Sequence, residues 1–248
     1  VIQFVDLHKS FGDKKVLQGF TLDVREGETM VVLGYSGSGK SVAIKHIVGL
    51  LTPDAGTVIV DGQEVPQLSR AELYKLREKV GYVFQFAALF DSLNVGDNVA
   101  MGLRKQGKLS EPEIRRRVAE VLSLVDLPGI ESKMPAELSG GMRKRVGIAR
   151  AIAMRPKYLL YDEPTTGLDP VTSAVIDGLM IRAREVTGVT SVVITHDMKS
   201  AYRVGSRIAM LYEGRVRQVG TVDEIRDTTD PLVKQFIEGE AQLVATGT

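Results

Sequence analysis

The chain is expected to adopt an α/β fold, and three observations carry that expectation. Thr29 to Leu33 is a short apolar run of strand type, GYSGSGKS follows at residues 34 to 41, and Ile44, Ile47, Val48 and Leu51 then recur at helical spacing. A second apolar run, Tyr158 to Tyr161, delivers Asp162 and Glu163 at its C-terminal end. A third, Ser191 to Thr195, ends in His196. In open α/β sheets ligands sit at the carboxyl ends of the strands, so the polar residues of all three runs are expected on one edge.

The elements can be justified in order. Residues 1 to about 85 alternate strand-like stretches with turn signals, including Asp61-Gly62 after Val58 to Val60, which predicts a hairpin. An antiparallel layer flanking the phosphate-loop core is expected there, with Phe11 and Val16 on it. From about Gln85 to Arg155 the pattern turns helical. Ser110 and Glu113 form a capping box, and Ile114, Val118, Val121, Leu122 and Val125 share one face, read as core packing. Met142, Val146, Ala149, Ile152 and Ala153 make a second helical stripe. Beyond the third apolar run, Glu213-Gly214 joins Ile208 to Tyr212 with Arg215 to Val219. Thr221 with Glu224 opens a short helix, and Pro231 begins another. The expected organisation is one domain over 1–240, with 86–155 as a helical subdomain and 156–240 as the rest of the core. For the tail, 241–248, two readings stand: disorder, or a crossing to a neighbouring subunit.

Composition narrows the function. The 248 residues are 44% apolar with few aromatics and a net charge of +1, which suits a soluble α/β protein and argues against a nucleic-acid partner. The basic runs Arg115 to Arg117 and Arg143 to Arg145 lie in helical patterns and are read as solvated faces. Without cysteine, disulfides, zinc-thiolate sites and thiol catalysis are excluded for this chain, which fits a reducing cytosol. No signal pattern is seen and no apolar stretch approaches the ~20 residues of a membrane helix. The chain begins at Val1, so residues upstream could have been removed.

The chemistry begins at GYSGSGKS. Gly34, Gly37 and Gly39, with Tyr35, Ser36 and Ser38 between them, let backbone N–H groups converge on an anion, and the following helix start adds positive potential. Lys40 is expected to reach the β- and γ-phosphates, and Ser41 to ligate Mg²⁺. Asp162 is assigned to the metal, directly or through water, and Glu163 to the general base that takes a proton from the attacking water. His196 is expected to lie within reach of a γ-phosphate, whereas His8 and His46 are read as structural. Ser139, Gly140 and Gly141 precede a helix and admit two readings, an anion site or a plain N-cap. One nucleotide cannot obviously fill two phosphate sites on one chain.

At this point the chain resembles the ATP-binding cassette (ABC) ATPases, from Val1 to about Glu240. The resemblance rests on GYSGSGKS, Gln85, LSGGM at 138 to 142, YLLYDEP at 158 to 164 and His196. It implies a P-loop NTPase core of RecA-like type with an antiparallel β-subdomain and an inserted helical subdomain. It also implies that two cassettes pack head to tail, so that Ser139, Gly140 and Gly141 of one complete the site around ATP held by the other. Phe11 matches the aromatic that stacks on adenine, Gln85 the residue that touches Mg²⁺ and the attacking water and relays to a membrane partner, and Glu163 the catalytic glutamate. Asp169 in GLDP and His196 match two further family motifs. Phe11 has no phenol hydroxyl, and Val42 stands where the family commonly has a hydroxyl residue, which points to lowered nucleotide affinity.

Met142 replaces the more usual Gln. LSGGMRKRVGIARAIA, YLLYDEPTTGLDP and FAALFDSLNVGDNVA together are similar to the Mla-type ATPases of MCE lipid transporters. That branch implies a permease and an MCE-domain protein as partners, phospholipid as cargo, and a place on the cytoplasmic face of the inner membrane. Phe86 to Val95 carries more apolar side chains than a polar loop needs, as a partner surface would. The competing readings are an ABC ATPase serving another substrate, a soluble ABC protein of the iron-sulfur assembly type, and a small-molecule kinase, which leaves LSGGM and GLDP unexplained.

Overall fold

Alternation along three inner strands divides the chain between two cores. A computed structural model describes residues 1–239; the expectation for the tail falls outside them. The chain opens with β1 (Ile2–Phe11) and β2 (Lys14–Val24), paired antiparallel, and enters the central sheet at β3 (Thr29–Leu33). Helix α1 (Lys40–Ile47) follows, and Leu51 lies beyond its end, so the apolar spacing outruns the helix. The chain then returns to the antiparallel layer as β4 (Ala55–Val60) and β5 (Gln63–Glu64). Asp61 and Gly62 join these two with φ 50° and 79°, the paired left-handed residues that a tight hairpin requires.

Helix α2 (Arg70–Glu78), capped by Ser69, leads to β6 (Val80–Val83) at the edge of the central sheet. The helical stretch follows as α3 (Val95–Gln106), α4 (Glu111–Leu124) and α5 (Gly140–Ala153). The Ser110 hydroxyl and backbone N–H both donate to Glu113, and the expected stripe from Ile114 to Val125 is buried. The chain closes through β7 (Tyr158–Asp162), α6 (Pro170–Thr187), β8 (Thr190–Thr195), α7 (Met198–Val204), β9 (Arg207–Tyr212), β10 (Arg215–Thr221), α8 (Val222–Arg226) and α9 (Pro231–Glu238). Glu213 and Gly214, at φ 47° and 75°, make the second tight hairpin.

The central sheet runs β10-β9-β3-β8-β7-β6, so β8 lies between the strand before the phosphate loop and the strand ending in Asp162. All residues of β3, β7 and β8 are buried, as in parallel sheets covered on both faces. Val31, Leu33, Leu159, Tyr161 and Val193 face the helical side. Met30, Val32, Tyr158, Leu160 and Val192 face α1 and the antiparallel layer. Leu33 pairs with Thr195, and Asp162 with Ile194, which brings the three polar strand ends level.

The basic runs correct an expectation in part: Arg115, Arg116 and Arg143 are exposed, as solvated faces would be, but their neighbours turn inward. Arg117 donates to the carbonyls of Ile152 and Ala153, closing the end of α5, and Arg145 reaches those of Val125 and Asp126. Lys144 is only 8% exposed. Helix C-termini and loops leave carbonyls without partners, and these cations satisfy them, so sequence clustering misstated where the side chains go.

Candidate functional site

The phosphate loop is closed behind and open in front. A Cβ on Gly34 would lie 2.6 Å from the Leu211 carbonyl oxygen, and one on Gly39, at φ 102°, 2.8 Å from Val16 Cγ1. Gly37, at φ 78°, has nothing within 4 Å. The outer glycines let the loop press against neighbouring strands, and the middle one leaves space where an anion would sit. Tyr35 points backwards, its ring edge-on to Phe236 of α9 at 4.9 Å. Ser38 Oγ is buried and has no hydrogen-bond partner among the described residues. Lys40 Nζ donates to the carbonyls of Gly34 (2.8 Å) and Tyr35 (3.0 Å) and lies 3.6 Å from Glu163 Oε1. Burial pushes the Lys40 pKa down, against the pull of Glu163 and Asp162.

The levelled strand ends supply the rest. Ser41 Oγ donates to Asp162 Oδ1 at 2.5 Å, and the Tyr82 hydroxyl donates to Oδ2 at 3.1 Å. Burial, with Asp162 beside it, raises the Tyr82 phenol pKa, which keeps that donor protonated. Glu163 has φ 51°, left-handed backbone that costs a non-glycine residue about 1–3 kcal/mol. Its Oε2 accepts from Thr166 Oγ1 at 2.9 Å and meets His196 Nδ1 at 2.8 Å. Since a carboxylate only accepts, this contact assigns the proton to Nδ1 and turns Nε2 toward other partners. His46, by contrast, is buried with Nδ1 on the Val42 carbonyl, as a structural histidine should be.

A cleft of about 410 Å³ opens at the phosphate loop and Glu163. Phe11, Val16, Ser36, Gly37, Gly39, Lys40, Ser41, Val42, Gln85, Glu163 and His196 line it, while Gly34, Tyr35, Ser38 and Asp162 do not. Larger clefts of about 470 and 670 Å³ lie on the helical side; one is lined by Asp97 and Arg104, the other by Arg117 and Arg155, and neither holds any predicted site residue. Sequence reasoning missed Lys14 and Thr166, which also line the site, and Tyr82 behind it. Thr166 was legible as a hydroxyl three residues after Glu163. Tyr82 had only its place in an apolar strand.

Ser139, Gly140, Gly141 and Asp169 stand outside this cleft. Ser139 caps α5 by accepting from the Met142 N–H, and Asp169 caps α6 by accepting from those of Val171 and Thr172. The two helix starts touch: a Cβ on Gly141 would lie 2.6 Å from Thr172 Cγ2.

The donor set fits a hard cation bound with a nucleotide. Ser41, Asp162 and Gln85 offer oxygen only, and among the described residues no group of three or more His, Cys, Asp or Glu side chains could cage a metal alone. Magnesium commonly binds in this manner, through one or two protein oxygens and substrate phosphates. No helix among the described residues is long and apolar enough to cross a membrane.

Comparison with known proteins agrees with this geometry. A sequence profile of the ABC transporter family matches residues 17–166. A probable ribonucleotide transport ATP-binding protein, mkl, from Mycobacterium leprae (strain TN) is 41% identical over 238 residues, spanning 96% of this chain and 69% of that one. Other mycobacterial forms are matched over 66% of their length. The intermembrane phospholipid transport system ATP-binding protein MlaF of Haemophilus influenzae is 36% identical, spanning 97% of this chain and 91% of its own. A methionine import ATP-binding protein, MetN, of Carboxydothermus hydrogenoformans is 42% identical over 90% of this chain and 66% of its own. Among solved structures, the dimeric post-hydrolysis state of the cassette MJ0796 bound to ADP and Pi superposes with a TM-score of 0.82 at 35% identity, covering 90% of this chain and 99% of that one. With a phosphate loop, an acidic strand end and a histidine converging on one cleft, this chain belongs to the ABC transporter family and is an ABC-type ATP hydrolase.

Proposed function

We propose that this chain is the ATP-hydrolysing subunit of a phospholipid transporter of the MCE (Mla) type. It works at the cytoplasmic face of the inner membrane with a second copy of itself, an integral-membrane permease and an MCE-domain protein. The reading is carried by the likeness to MlaF, which extends over 91% of that protein's length. It is supported by an exposed apolar segment beside Gln85, where Phe86 is 84% and Phe90 51% exposed. Patches of that kind mark partner surfaces.

In this reading the adenine stacks on Phe11 beside Val16, and the phosphates lie on the loop amides from Gly34 to Val42, with Lys40 swinging from its carbonyl partners onto the β- and γ-phosphates. Ser41, Asp162 and Gln85 would hold Mg²⁺, which when bound neutralises phosphate charge. Glu163, oriented by His196 and Thr166, takes the proton of a water attacking the γ-phosphate in line. Such transfers depend chiefly on positioning and charge stabilisation. Ser139, Gly140, Gly141 and Asp169 act on the nucleotide held by the second copy. Their separation from the cleft of their own chain is the observation that favours this arrangement.

The 42% identity to a methionine importer favours a second reading, in which the same hydrolytic parts serve another cargo. The two separate in an affinity capture of the tagged chain from gently solubilised native membranes, with bound proteins and lipids identified by mass spectrometry. A permease with an MCE-domain protein and phospholipid is the expected result. A permease of another class would overturn the lipid assignment, and soluble partners alone would overturn the transport assignment.

A further inference from the structure

Lys144 lies just over one turn into α5, the helix that Ser139 caps, and its side chain runs inward. Its ammonium donates to the carbonyls of Thr166 at 2.7 Å and Pro164 at 2.8 Å, and lies 3.5 Å from that of Glu163. An ammonium has three N–H groups, and these three carbonyls account for them. The segment thus gathered is the turn that carries the catalytic carboxylate. Glu163 is held there at φ 51°, and Pro164 after it further restricts its backbone. Backbone strain of this kind persists only where the surroundings over-determine it. From the strand side Glu163 N–H is fixed to the Ile194 carbonyl at 2.9 Å, and from the helix side Lys144 is the charged contact on the turn.

We propose that Lys144 is a positioning residue for hydrolysis: it pins the Glu163–Thr166 turn to α5, so that a shift of α5 within a chain moves that chain's own Glu163 carboxylate. The proposal rests on the reading of Glu163 as the base. It gives α5 two roles at once. Its N-terminus serves the neighbouring copy's nucleotide, and its first buried cation sets the base of its own site. Engagement of Ser139 by a neighbour's ATP is thereby felt at Glu163 through one side chain rather than through the phosphate loop.

The test is steady-state ATP turnover by the full chain carrying Lys144→Arg, Lys144→Gln or Lys144→Met, with KM and melting temperature measured beside kcat. Arg retains charge and donors, Gln retains two donors, and Met retains only an unbranched apolar stem. The expected result is a graded fall in kcat, with Arg near wild type and Met lower by about 100-fold, the scale that small misplacement of reacting groups produces. KM for ATP should stay within about twofold of wild type, because Lys144 touches no lining residue of the cleft except at backbone carbonyls. Equal kcat for the three variants would overturn the proposal, as would a KM that rises in step with falling kcat. Should the Met variant fail to fold, Arg against Gln decides by the same criterion. Glu163→Gln, run in parallel, separates the two levels. Normal turnover there sinks the base assignment itself, while a dead Glu163→Gln with a fully active Lys144→Gln sinks only the tether.

Discussion

The cleft at the strand ends and the paired starts of α5 and α6 are built in opposite ways. At and behind the cleft, Lys40, Asp162 and Glu163 are buried or nearly so, and each has at least one partner contributed from a distant part of the chain. At the helix starts, Ser139 and Asp169 are exposed, and the contacts that hold them come from the first turn of their own helices. The first region is a site assembled by the fold. The second is a surface whose polar groups are satisfied locally.

Mutations should separate the two regions sharply. The largest effect is expected for Glu163→Gln, which keeps shape and removes the carboxylate proposed as the base. Turnover measured by phosphate release should fall roughly 10²–10⁴-fold, the range of general-base contributions, while equilibrium binding of ATP is retained. Near-normal turnover would break the picture of a self-contained hydrolytic cleft. Next, Lys40→Ala removes a charged hydrogen-bond donor and should weaken nucleotide binding by about 10–100-fold, as loss of ~1.5–3 kcal/mol implies. Mixed with Ser139→Ala, it should give heterodimers with a single competent site, and no recovered turnover in such mixtures would count against action in trans. The smallest effect concerns Ser139→Ala alone. Thermal or denaturant unfolding should show a loss of only about 0.5–2 kcal/mol, the value of a helix cap; a larger loss would mean that the helix start is part of the core after all.

The same contrast explains what the sequence disclosed. Strand ends were legible because a short apolar run followed by a polar residue has few other structural uses, so the neighbourhood of Gly34, Asp162 and His196 followed from sheet topology alone. Both hairpins were legible because Asp-Gly and Glu-Gly supply the left-handed residues that tight turns need. Lys144 was not. A lysine between two arginines on a helix looks solvated, and only the tertiary arrangement reveals carbonyls waiting at the far side. Tyr82 escaped for a related reason: an aromatic residue in an edge strand is ordinary packing until its hydroxyl is seen to reach Asp162. Ser139 stayed ambiguous because a cap and an anion site use the same atoms, and its capping bond is present.

The contact between Tyr35 and Phe236 also sets an order of assembly. The phosphate loop precedes in the chain the elements that hold it: β3 must wait for β8 and β9 to flank it, and Tyr35 must wait for α9. A nascent chain therefore carries the GYSGSGKS loop without the aromatic backing of Tyr35 until α9 has been made.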